Sequence, residues 1–200
     1  MTVACAMTAT VSFAQSAYNP PSAGTLITWS YQFENESFTR LSEIVASGDD
    51  FVIYQPDIRY AADTPEQYVV EFAGVHAQTC ADPLPDEDDR SALMAIWPLL
   101  SGSSASVRTG PTPSRYMVQA KENVDFLVSR PGQQSVFRVR GKLGSADLQF
   151  LVSEDYSIPI GMDWPGGENG RVIDLVEPEG GAGTDMELNN LGYCSELVKQ

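Results

Sequence analysis

The 200-residue chain has one histidine, three cysteines and only 12 lysines and arginines against 27 acids. Each scarcity excludes a class of function. A single histidine, His76, excludes a multi-histidine metal site within one chain. No G-x-S-x-G turn accompanies it, so a Ser-His-Asp nucleophile has no local signature. A net charge of −15 repels phosphate, and nucleic acid is not an expected partner. Beyond Ala14 no apolar run approaches the ~18 residues that span a bilayer as a helix, so the reading expects no transmembrane segment in the mature chain. No cofactor motif is present either. Gly180-Gly181-Ala182-Gly183 lacks the spacing, the following helix and the neutral surroundings of a phosphate cradle.

The residues that are present begin with an uncharged segment. Met1 to Ala14 is apolar or small and ends in Ser12-Phe13-Ala14, which fits a signal-peptidase site before Gln15. No Lys or Arg precedes Arg40, so the reading takes residues 1–14 as a signal-peptide remnant whose true start lies upstream. A lipoprotein variant would use Cys5, but Thr2-Val3-Ala4 lacks the aliphatic residue expected before it. The expected address is therefore periplasmic or secreted. In an oxidising compartment Cys80 and Cys194 become the expected disulfide, since loss of Cys5 leaves an even count. The rival reading of Cys80 as a nucleophile served by His76 needs helical spacing in a segment that reads as a strand.

Residues 15–200 are long enough for one β-rich domain with a sizeable core, and the 42% apolar content is that of a globular chain. The charge is uneven along it. Residues 105–142 form a net +5 island between segments of −11 and −9. Arg138, Arg140 and Lys142 fall on one face of a predicted strand and form a candidate anionic-partner face; internal pairing with acidic neighbours is the alternative.

The dominant period is two. Ile27, Trp29, Tyr31 and Phe33 alternate with polar residues, and Phe38–Ala46 and Phe51–Gln55 flank a Ser-Gly-Asp-Asp hairpin signal. A strand is expected over Tyr68–Ala77. Met117–Ser129 reads as two strands broken at Glu122-Asn123, or as one bulged strand. Pro131-Gly132 suits a type II turn, and Asp147–Val152 reads as a strand. Asn169-Gly170 reads as a two-residue hairpin turn into Arg171–Val176. Gly102–Ser106 reads as a flexible loop.

One helix is expected. Asp86–Asp89 supply acids to its first turn, Leu93, Ile96 and Trp97 follow at helical spacing, and Pro98 ends it. The five acids from Asp82 to Asp89 therefore mark a helix start, and they lack the alternation of a calcium loop. Many short strands and one helix predict a mainly β fold: a curved antiparallel sheet or partly open β-barrel with the helix packed against it.

Carboxylate pairs are too abundant for any acid-base pair to be singled out, and His76 at a strand end reads as a partly exposed polar residue. No catalytic residue and no metal ligand is assigned. Aromatics offer another possibility. Trp29, Tyr31, Phe33, Phe72 and Trp97 would line an apolar trough if the sheet closes only in part, and would fill a core if it closes fully.

Ile96-Trp97-Pro98-Leu99, Gly102, Tyr116-Met117-Val118, Glu122, Val124 and Pro131-Gly132 together resemble a pattern in uncharacterised exported β-rich proteins of Gram-negative bacteria. The likeness covers roughly residues 90 to 140. It implies a helix ahead of a curved antiparallel sheet and a periplasmic address, and it carries no catalytic assignment. The function expected is a non-enzymatic periplasmic protein that binds a partner protein or an amphiphilic or anionic ligand through one sheet face. A structural subunit of a cell-envelope assembly and a hydrolase are the rivals.

Overall fold

The computed structural model describes residues 17–109, 113–143, 146–178 and 188–199. The signal-peptide reading of residues 1–14, Cys5 and the Gly180–Gly183 stretch lie outside the described residues.

Eleven antiparallel strands form one sheet that curls into a half-barrel. They are β1 (Leu26–Phe33), β2 (Glu36–Ser47), β3 (Phe51–Gln55), β4 (Val69–Phe72), β5 (His76–Thr79), β6 (Ser104–Val107), β7 (Ser114–Val124), β8 (Gln134–Leu143), β9 (Ala146–Ser153), β10 (Pro159–Asp163) and β11 (Asn169–Val176). Their order is β5-β4-β3-β2-β1-β11-β10-β9-β8-β7-β6. Two meanders thus meet at a central seam where β1 pairs with β11. The connection between edge strands β5 and β6 carries helix α1 (Glu87–Met94), which packs on β6 and β4.

The helix starts where the sequence places it but ends at Met94, so Ile96 and Trp97 lie in the turns beyond it, and its start is built from the acids. Asp86 caps it by accepting the Asp89 N–H at 2.9 Å. Asp89 turns inward and accepts the N–H groups of Arg108 and Thr109, both at 2.7 Å, and the Thr109 hydroxyl at 2.6 Å. Burial alone would raise its pKa; these donors together outweigh burial and lower it.

Four details differ from the sequence reading. The expected strand Tyr68–Ala77 is a hairpin, because Ala73 (φ 51°) and Gly74 (φ 69°) both take the left-handed conformation of a tight turn. Asn169-Gly170 is not a turn: both residues pair within β11, opposite Asp163 and Met162, and the reversal comes at Pro165-Gly166-Gly167. Gly170 is small for a packing reason, since a Cβ there would lie 2.9 Å from the Tyr31 ring. Ser104–Ser106 belongs to edge strand β6 rather than to a loop. Finally, of the two readings of Met117–Ser129 the bulged strand is found, with its bulge between Val118 and Lys121, but β7 spans Ser114–Val124 and stops short of Ser129.

Neighbouring residues along one strand feed different apolar clusters. Phe51 and Ile53 join Phe72, Leu93, Ile96, Tyr116, Val139 and Phe150 in a cluster that includes the helix. Val52 instead joins Ile27, Trp29, Ile44, Leu151, Ile160 and Val172 in a second. The Cys80–Cys194 disulfide lies in the first cluster and ties the end of β5 to the C-terminal turns. Among the described residues no helix is long and apolar enough to cross a membrane.

Candidate functional site

Period-two alternation places Phe72 and Glu71 on opposite faces of β4. Phe72 enters the helix-side core. Glu71 enters a cavity of about 180 Å³ on the other face. Trp29 and Tyr31 of β1, Tyr54 of β3, Val69 beside Glu71, and Met162 of β10 form its walls. Curling brings β10 over strands β3 to β5, from the far side of the β1–β11 seam. Ala77 of edge strand β5 also lines the cavity and is exposed, so the space opens to solvent there.

Glu71 is buried, and the Tyr54 hydroxyl donates to its Oε1 at 3.3 Å. Burial pushes its carboxyl up to about 8, and the Tyr54 hydrogen bond offsets only part of that. At neutral pH the group is therefore mostly a neutral acid in an apolar, aromatic chamber. Two phenols nearby respond to the same low-polarity surroundings. Burial raises Tyr54 well above the usual phenol range, with Glu71 adding to the rise. Tyr18, ahead of β1, is raised by burial and then by Glu71 and Asp50, and its buried hydroxyl has no hydrogen-bond partner among the described residues.

From the cavity an aromatic row leads outward. Trp29 stacks on Tyr31 at 5.8 Å, Tyr31 on Phe38 at 5.3 Å, and Phe33 on Phe38 at 5.8 Å. Trp164 leans on Phe33 at 5.5 Å. The Arg40 guanidinium sits over Tyr31 and Phe38, 5.6 and 5.2 Å from their ring centres. Of the five residues expected to line a trough, Trp29 and Tyr31 line the cavity and Phe33 lies further along the row. Phe72 and Trp97 pack with the helix-side cluster, where the Trp97 indole N–H donates to the Ala73 carbonyl at 2.9 Å.

The basic residues of β8 stand elsewhere, and two of them are engaged within the sheet. Arg138 pairs with Glu122 at 2.9 Å and with Asp163 at 3.1 Å, and it donates to Gln149 at 2.7 Å. Arg140 pairs with Asp147 at 3.2 Å, and Lys142 is exposed. His76 is buried rather than partly exposed. Its ring bonds the Tyr116 hydroxyl at 2.8 Å and Gln78 at 3.3 Å, and burial lowers its pKa. No carboxylate hydrogen-bonds it among the described residues.

Sequence reasoning missed Glu71 and Tyr54. A signal for Glu71 exists: it is the one charged residue in the apolar run Val69-Val70-Glu71-Phe72. Tyr54 carries no such mark.

No protein-family model and no curated protein sequence matches the chain. Among solved structures it is similar to the hypothetical lipoprotein YmcC from Escherichia coli (K12), with 9% identity, a TM-score of 0.40, and coverage of 84% of this chain and 92% of that one.

Proposed function

We propose that this protein is a non-enzymatic binding protein that takes an amphiphilic ligand into the cavity between Trp29 and Glu71. One observation carries the reading: an apolar, aromatic-walled space of about 180 Å³ that opens to solvent beside Ala77 and contains, among the described residues, a single carboxyl. Apolar pockets with few convergent polar groups are the usual form of a small-molecule site. An engineered apolar cavity of ~150 Å³ is large enough for benzene. The space therefore suits a headgroup or a short chain, with the aromatic row from Tyr31 to Trp164 available to the rest. The Cys80–Cys194 disulfide supports a periplasmic or secreted address, because such bonds persist in oxidising compartments.

The rivals draw less support. An envelope subunit joined through sheet edges would offer a long unpaired strand, whereas edge strands β5 and β6 are four residues each. For an anionic partner on β8, Arg138 and Arg140 already face carboxylates of their own sheet.

Ala77→Trp tests the reading. A large ring at the exposed mouth is expected to weaken octanol binding at least tenfold, read by tryptophan fluorescence, while the melting temperature stays within a few degrees. Octanol binding that the substitution leaves unchanged, or no octanol binding by the parent protein, overturns it.

A further inference from the structure

Among the described residues, the cavity buries a carboxyl with no cation beside it. Glu71 is 7% exposed, its hydrogen-bond partner is the neutral Tyr54 hydroxyl, and none of the described lysines or arginines lines the space. The titratable groups around it are phenols: Tyr54 from β3, Tyr31 from β1, Tyr18 from the segment ahead of β1, and Tyr116 from β7. His76 lies one hairpin position away on the other face, and Arg40 covers the outer side of the aromatic row without lining the cavity. Asp50 bears on Tyr18.

An isolated carboxyl in such a place costs several kcal/mol if charged, and an apolar residue would fill the space at lower cost. A ligand that supplies the missing positive charge accounts for it. Aromatic faces attract cations, and Trp29, Tyr31 and Tyr54 border the same space as the carboxyl. Met162, Pro159 and Val69 would meet alkyl substituents. A hard metal ion would demand several oxygen ligands, and here the walls offer one carboxyl. The whole chain, at −15, draws cations and repels anions.

We propose that this cavity binds an alkylammonium group, the cationic head of an amphiphile, with Glu71 as its counter-ion and Trp29, Tyr31 and Tyr54 as its aromatic walls. The proposal rests on the amphiphile reading above and names the head that reading leaves open. Binding exchanges one charge for another: the carboxyl releases its proton to solvent as the ammonium enters. Affinity is therefore expected to rise about tenfold per pH unit while Glu71 is protonated in the free protein, and to level off once it is ionised.

The test is calorimetric titration of the full chain with octyltrimethylammonium, octanol and octanoate at pH 6, 7, 8 and 9, with tetramethylammonium as competitor. Expected are at least tenfold tighter binding of octyltrimethylammonium than of the other two at pH 8, competition by tetramethylammonium, and the rise with pH. Glu71→Gln should abolish the preference and the pH dependence, and a variant that keeps both overturns the assignment. Equal binding of all three probes overturns the ammonium assignment and leaves the amphiphile reading standing. Tightest binding of octanoate overturns it too, and binding of none removes both. If tetramethylammonium competes without its octyl relative binding more tightly, the site takes a free small ammonium and the amphiphilic part fails. The order of probes and the pH slope of the parent protein decide the matter even if the variant does not fold.

Discussion

A carboxyl whose pKa rises on folding makes the folded state hold a proton that the unfolded chain gives up. For Glu71 the interval runs from its ordinary 4.5 to about 8. Within it the unfolded state binds fewer protons, so this residue's contribution to stability falls as pH rises and is constant above the interval. Glu71→Gln keeps the shape and removes the titration. It is expected to match the parent near pH 5 and to exceed it at pH 8.5 by on the order of a few kcal/mol. Urea unfolding at the two values checks this, and a variant no more stable at pH 8.5 would show that the carboxyl is not held in a low-polarity site. The identity of such a residue was only half legible in the sequence. Alternation in Val69-Val70-Glu71-Phe72 shows that an acid sits among strand residues, but a half-buried strand has a wet face on which an acid is ordinary. Only the curl that brings Met162 across the sheet makes that face dry. Cys80 and Cys194 were more legible: the expected export leaves them as the two cysteines available to pair, and the disulfide joins them. His76, expected to be partly exposed, is buried against Tyr116, forty positions away, a contact that local pattern does not show.

At the scale of elements, hydrophobic period and caps sufficed where the element makes its own contacts. The start of helix α1 is written in Asp86 to Asp89, and β1 in the Ile27-Trp29-Tyr31-Phe33 alternation. Turns were less readable, since glycine has two uses. At Gly74 it serves backbone conformation and a close approach, for a Cβ would stand 2.5 Å from the Ser157 carbonyl oxygen. At Gly170 it serves packing alone, and the Asn-Gly pair that imitates a hairpin signal is a strand segment making room for Tyr31. Gly170→Ala is thus expected to push the Tyr31 ring outward and to cost about 1–3 kcal/mol through overpacking. Because Tyr31 walls the cavity, octanol affinity should fall several-fold in the same variant. Thermal melts and fluorescence titration measure the two effects, and an alanine that leaves both unchanged would place Tyr31 away from β11.

At the scale of the molecule, fold class followed from many short period-two segments with a single helix between them. Strand order did not, because nothing in the β1 or β11 sequence marks them as partners. The disulfide closes a loop of 114 residues around the helix-bearing connection. On the chain-entropy account that closure is worth on the order of 4–5 kcal/mol. Cys80→Ser with Cys194→Ser, or reduction of the parent, is expected to lower the melting temperature by roughly 10 °C or more. A shift under about 2 °C would mean that the C-terminal turns, Leu191 and Leu197 included, hold their place without it.

The seam between β1 and β11 has a temporal meaning as well. Leu26 pairs with Val176 and Gln32 with Asn169, so the centre of the sheet joins the first of the described strands to the last. Until β11 docks, β1 has a neighbour on one side only, and its other edge waits through all the strands between. A folding molecule therefore passes through an interval with its middle open, exposed to holding factors and to other unfolded chains. Closure comes as a late, long-range event once the eleventh strand is free to dock.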